Sequence, residues 1–114
     1  MVRFRNAMKN VYKVFFHHGP EIGLKTRVSR GTASIDVSGL EIQGPEGSSF
    51  IESASIREVE LFRLHGTGRV IRVDHQGGRL YLAVVRFMIG QFASINFFKT
   101  GELHAALEGL AKSN

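Results

Sequence analysis

Residues 55–87 read SIREVELFRLHGTGRVIRVDHQGGRLYLAVVRF, and this stretch decides the fold. Branched and aromatic side chains alternate with polar ones over 56–65, 69–74 and 79–87, with glycine-containing breaks between the runs. A period of two predicts three half-buried strands. The three-residue loop Gly66-Thr67-Gly68 pairs position 65 with 69, so that Leu61 faces Val73 and Arg63 faces Ile71. The loop His75-Gln76-Gly77-Gly78 pairs 74 with 79, setting Val73 against Leu80 and Ile71 against Leu82. Val59, Leu61, Ile71, Val73, Leu80, Leu82 and Val84 then share one face, which is the expected core; a one-residue slip would scatter them. The other face holds Glu58, Glu60, Arg72 and Asp74, but also Phe62, Leu64, Val70, Tyr81, Ala83 and Val85. Contiguous apolar residues on an outer face mark a surface that something covers.

Upstream, alternation continues through Ile22, Leu24, Thr26 and Val28, then Ala33, Ile35 and Val37, then Leu40 and Ile42, with a short strand at Phe50 and Ile51. Downstream, a weaker strand is expected over 92–98. A closing helix is expected from near Gly101, with Leu103, Leu107 and Leu110 on one face, Thr100 as N-cap and Glu102 in the first turn. At the other end, Phe4, Met8, Val11 and Phe15 recur at helical spacing, so residues 2–16 are expected to form an amphipathic helix. His17, His18, Gly19 and Pro20 stop it. The chain then divides into an N-terminal helix with linker, 1–20, and a barrel domain, 21–114.

The 114 residues are 43% hydrophobic and 22% charged, the composition of one globular domain. The absence of cysteine excludes disulfides, iron–sulfur clusters, thiolate zinc sites and a Cys nucleophile. Of the net charge of +5, most lies in residues 1–20, where Arg3, Arg5, Lys9 and Lys13 face no acid; the remainder holds 11 basic and 10 acidic residues. A nucleic-acid partner is not expected, since such domains carry a basic stripe on the folded body. Lys9, Asn10 and Lys13 interrupt any secretory apolar region, and Arg86 interrupts the run Leu80–Phe98. The expected location is cytoplasmic, at most peripheral at the inner membrane face.

Three segments, GTASIDVSGLEIQG (31–44), the meander at 55–87 and NFFKTGELHAALEGL (96–110), give the chain an order of features that resembles the pleckstrin-homology-like superfold in its small, GRAM-like bacterial form. The resemblance spans roughly 90 residues of the 114. It implies a mainly β fold, a seven-stranded barrel of two orthogonal antiparallel sheets closed by a C-terminal α-helix, here with an extra N-terminal amphipathic helix. Eukaryotic members usually place a Trp in the closing helix, and this chain has none.

Catalytic and metal chemistry are not expected, and no cofactor is. Gly66-Thr67-Gly68 lacks the Lys-Ser/Thr and third glycine of a phosphate loop, so it reads as a hairpin. His65 and His75 stand at opposite ends of one strand, roughly 30 Å apart, and no pair of histidines has helical ligand spacing. Glu58 and Glu60 form a same-face pair beside Arg72, which reads as a salt-bridged surface rather than an acid–base dyad. Lys25, Arg27 and Arg30 are the candidate anion-binding residues, since the resemblance places phosphate-binding basic residues on the first hairpin; the same spacing fits an ordinary amphipathic strand. The candidate interaction surface joins the helix stripe Phe4, Met8, Val11 and Phe15 to the outer patch Phe62, Leu64, Val70, Tyr81 and Val85. The expected function is a non-enzymatic binding module that contacts another protein or a second copy of itself as a homo-oligomer. The alternative is a peripheral module holding anionic lipid headgroups through the basic N-terminal helix and the first hairpin.

Overall fold

In the computed structural model, the residues described are 10–20, 28–63, 69–89, 92–95 and 97–112, the side chains of 86–89, 92–95 and 97–98 excepted. The elements are β1 (Asn10–His18), β2 (Ser29–Asp36), β3 (Gly39–Gly44), β4 (Gly47–Glu52), a 3₁₀ turn (Ser53–Ser55), β5 (Ile56–Arg63), β6 (Arg69–His75), β7 (Gly78–Ile89), β8 (Phe92–Ile95) and α1 (Phe97–Lys112). Antiparallel pairing runs β4-β3-β2-β1-β7-β6-β5, with β8 attached to β7. The seven-stranded path curls into a half-barrel, and α1 lies across it, against β5, β6 and β7.

The core sits on the inner face. Tyr12, Val14 and Phe16 alternate inward from β1, and they pack with Ala33, Ile35, Leu40, Ile42 and Ile51 from β2 to β4. Ile71, Val73, Leu80, Leu82 and Val84 complete the cluster from β6 and β7, all buried as the alternation predicts, while Val59 and Leu61 pack against it half-buried. Leu103 and Leu107 seal it from α1, both fully buried, with Leu110 at the margin.

The expected helix over 2–16 is overturned where it can be compared: Asn10–His18 is a strand, and residues 2–9 lie outside the described residues. The reason is local. Val11, Phe15 and their helical partners form a stripe only if Tyr12, Val14 and Phe16 are ignored, whereas VYKVFF is rich in branched and aromatic residues that suit a pleated surface. β1 lies between β2 and β7, so the sheet takes in residues on both sides of the division expected after Pro20. The expected strand residues Ile22, Leu24 and Thr26 lie outside the described residues; β2 begins at Ser29 and runs through Gly31 without a break. There a Cβ would come within 1.9 Å of the Gln43 carbonyl oxygen on β3, so only glycine allows the two strands to approach.

The β6–β7 register matches expectation, with Ile71 opposite Leu82 and Val73 opposite Leu80. The β5–β6 register is displaced by two residues: Leu61 pairs with Ile71, Val59 with Val73 and Arg63 with Arg69, leaving 64–68 as the connection. A two-residue displacement keeps every side chain on its face, so the core set is unchanged. The displacement changes the cross-strand pairs. The expected register sets Glu60 against Asp74 and Phe62 against Arg72; the observed one sets Glu60 against Arg72 and Phe62 against Val70. It also sets Glu58 against Asp74 and Arg63 against Arg69, so charge pairing alone does not select it. The last helix also departs from expectation. It begins at Phe97, so Thr100 lies inside it, fully buried, rather than at its cap.

Candidate functional site

Alternation along β1 sends Val11, Lys13, Phe15 and His17 to the outer face, opposite Tyr12, Val14 and Phe16. Phe15 pairs with Ala83 and His17 with Tyr81 on β7; Tyr81 pairs with Arg72 on β6, and Phe62 with Val70 between β5 and β6. Phe15 and the patch expected from the meander therefore meet on one face, joined by strand pairing instead of by a packed helix. The patch is largely closed. Val70, Tyr81 and Ala83 are buried, Phe15, Phe62 and Val85 are half-buried, and the Phe62 and Tyr81 rings meet edge to face with centroids 6.0 Å apart. The Tyr81 hydroxyl donates to the Pro20 carbonyl at 3.1 Å, and Arg79 Nη1 donates to the same oxygen at 2.8 Å.

Charges border the patch. Arg72 contacts Glu58 at 2.8 Å, Glu60 at 2.7 Å and Asp74 at 3.4 Å, and Arg79 holds the other Asp74 oxygen at 2.5 Å. The carboxylate pair singled out in the sequence is thus clamped by a guanidinium, the arrangement of a salt-bridged surface.

The outer face of the other half, β1 to β4, has a different character. Val11 pairs with Ser34, Ser34 with Glu41, and Glu41 with Phe50, one row across four strands. Its ends are apolar and open: Val11 is 60% and Phe50 53% exposed, and Val37 at the β2–β3 turn is 71% exposed. That turn is fixed by Asp36, whose Oδ1 accepts from the Ser38 amide at 2.8 Å. Among the described residues β4 has β3 on one side and no strand on the other, so its outward amides and carbonyls are unpaired within the described sheet. The opposite edge, β5, carries Arg57, Glu58, Glu60 and Arg63 and has α1 packed against it. Phe50 escaped the sequence reading as a surface residue. Its signal is the run Ser48-Ser49-Phe50-Ile51, in which Ile51 turns inward and leaves Phe50 outward, opposite Glu41 on β3.

Two hollows open where β1 ends, sharing His18. One, of about 330 Å³, lies between Phe16, His17 and the β3–β4 turn; the other, of about 790 Å³, lies between Pro20, Arg57, Asp74, His75 and Arg79. His18 Nε2 is 3.4 Å from Ser49 Oγ. His75 Nδ1 accepts from the Gly77 amide at 3.2 Å, while its Nε2 is buried without a hydrogen-bond partner. Burial, then the nearby His18, pulls the His75 pKa below the ordinary imidazole value. Arg57 and Arg79 in the larger hollow are matched by Glu58 and Asp74, so its charge is mixed.

At the other end, the Tyr12 hydroxyl donates to Glu102 Oε2 at 2.6 Å, with Lys99 Nζ 3.6 Å from the other oxygen, tying β1 to α1. Desolvation first, then the Glu102 carboxylate, pushes the Tyr12 pKa up to about 12. Beside this staple, the buried Thr100 hydroxyl accepts the Val84 amide at 3.0 Å.

Of the expected site residues, Arg30 is exposed on β2, paired with Phe15. Lys25, Arg27, Phe4, Met8 and Leu64 lie outside the described residues. Among the described residues no group of three or more His, Cys, Asp or Glu is placed to hold a metal ion, and no helix is long and apolar enough to cross a membrane.

No protein-family model matches the chain, and no curated protein matches it in sequence. Among solved structures it is similar to the crystal structure of the C-terminal domain of an unknown protein from Leishmania infantum, with a TM-score of 0.62 over 90% of this chain and 81% of that one. The two share 14% sequence identity, so the likeness is one of fold.

Proposed function

We propose that the chain is a pleckstrin-homology-like binding module that performs no chemistry and works by protein–protein contact, its first partner being a second copy of itself. The strand path supports the family reading. A four-strand meander, β1 to β4, joins a three-strand meander, β5 to β7, and a C-terminal helix closes the inner face, the order that this superfold uses. One observation carries the binding reading: among the described residues the outer face of β1 to β4 ends in an edge strand, β4, bearing the exposed Phe50, in the same row as the exposed Val11. An open apolar edge of this kind is what soluble domains hide unless a partner takes it. The carboxylates best placed for acid–base work, Glu58, Glu60 and Asp74, are held by Arg72 and Arg79, which supports a surface role for them.

Size-exclusion chromatography with light scattering, run over a concentration series beside co-sedimentation with anionic vesicles, tests this reading. A mass that rises with concentration toward a defined oligomer, with no vesicle binding, is the expected result. A monomer at every concentration overturns it. Salt-sensitive sedimentation of that monomer with the vesicles would replace it by the lipid reading through Lys25, Arg27 and Arg30.

A further inference from the structure

We infer that β4 is a self-pairing edge: two copies of the chain join antiparallel along Gly47–Glu52, centred on Phe50, to make one continuous sheet. This rests on the self-association proposed above and specifies where and in what register it occurs. The two edges of the half-barrel differ in kind. β5 offers four charged residues and has α1 packed against it, both of which oppose strand addition. β4 carries a single charge, Glu52 at its end, and no proline over Gly47–Glu52, and among the described residues no strand lies on its far side. Gly47, Ser48, Phe50 and Glu52 are exposed, so the edge is accessible along its length.

The sequence of β4 also selects the register. In an antiparallel pair, opposite residues point to the same side, so pairing residues of like parity keeps both outer faces together. Three such registers are short enough to matter. Centring on Ser49 sets Glu52 opposite Glu46 of the partner, a like-charge contact. Centring on Ile51 sets Phe50 opposite Glu52. Centring on Phe50 sets the two exposed rings side by side, Ser49 opposite Ile51 and Ser48 opposite Glu52, with no like charges facing. A two-fold axis through Phe50 makes the strand its own complement, which a peptide of arbitrary sequence would not share. One six-residue edge buries less than the roughly 1,000 Å² of a stable dimer, so the association is weak and concentration-dependent.

The chain has no cysteine, so a single introduced thiol reports position without background. Phe50→Cys in the full chain, under mild oxidation above the association midpoint, is expected to give a disulfide-linked dimer. An equal mixture of Ser48→Cys and Glu52→Cys is expected to give a mixed dimer in excess of either homodimer, because those positions face each other only in this register. Arg63→Cys on β5 serves as the control and stays monomeric. Phe50→Glu, with the fold checked by circular dichroism, should weaken association by about tenfold or more. Cross-linking at Arg63, or a Ser48/Glu52 mixture no better than its components, overturns this inference while leaving self-association standing. A chain that is monomeric at every concentration removes both.

Discussion

Replacing Thr100 by Val tests whether a side-chain hydroxyl completes the sheet from inside the helix. Thr100 is fully buried, and its Oγ1 accepts the Val84 amide at 3.0 Å. The β6–β7 ladder stops at Leu82, so the hydroxyl serves a strand segment beyond it. Valine has nearly the same shape and similar helix propensity, so packing and α1 are preserved while the acceptor is lost. A buried N–H without an acceptor costs about 1–3 kcal/mol. At this chain length, 1 kcal/mol moves Tm by roughly 3–6 °C, so a fall of about 5–15 °C is expected. The second readout is local: hydrogen exchange at the Val84 amide should accelerate more than at Leu82 or Val73. Thr100→Ser keeps the acceptor and loses one methyl, about 1 kcal/mol, so it should weaken stability but leave Val84 protected. A Thr100→Val protein with unchanged Tm and an equally protected Val84 amide would refute the assignment.

Two further perturbations read the fold. Gly31→Ala forces a Cβ to 1.9 Å from the Gln43 oxygen and should cost about 1–3 kcal/mol or more, whereas Gly109→Ala, with open space at its Cβ in α1, should add about 0.5–1 kcal/mol; equal denaturation midpoints would remove the close β2–β3 approach. Tyr12 titrates near 12 when folded against 10.0 when unfolded, so its contribution is complete below pH 10 and is lost as pH rises through 12. Tyr12→Phe should therefore be less stable than the parent at neutral pH, yet its stability should fall less than the parent's between pH 10 and 12; parallel curves from denaturant melts across that range would show that Tyr12 is not linked to folding.

What the sequence disclosed follows from how local each signal is. The core of β6 and β7 was legible because alternation and one short turn leave one register that keeps Ile71, Val73, Leu80 and Leu82 together. The β5–β6 displacement was not legible. Loop length points to a three-residue connection, and cross-strand charge does not choose, since the expected register opposes Glu60 to Asp74 while the observed one opposes Glu58 to Asp74 and Arg63 to Arg69. Thr100 had no local signal at all: its role depends on an amide sixteen residues earlier, and Thr before an acidic residue looks like a helix cap. The outer patch was legible as a face, since Phe62, Val70 and Tyr81 follow from alternation. The state of that face was not, because its burial depends on Phe15 and the Pro20 carbonyl arriving from the far side of β7.

β1 decides which half of the molecule keeps apolar residues open on its outer face. Its inward residues Tyr12, Val14 and Phe16 complete the core, and its outward Phe15 lies beside Ala83, so the strand closes both faces of the β5–β7 half at once. An amphipathic helix would have left Tyr12, Val14 and Phe16 without partners and the sheet without its central strand. With Val70 and Tyr81 only 5% and 6% exposed, that half offers an incoming protein little apolar surface. The exposed Val11, Val37 and Phe50 all lie in or beside the β1–β4 half, where the row between Val11 and Phe50 spans about 14 Å of Ser34 and Glu41. Two apolar ends separated by small polar residues make a poor site for a packed helix, which needs a continuous stripe. A strand edge asks for less: unpaired backbone groups along β4 supply the attraction, and Phe50 alone marks the register. The self-pairing proposed along that edge would therefore use the surface that β1, by closing the other half, leaves open.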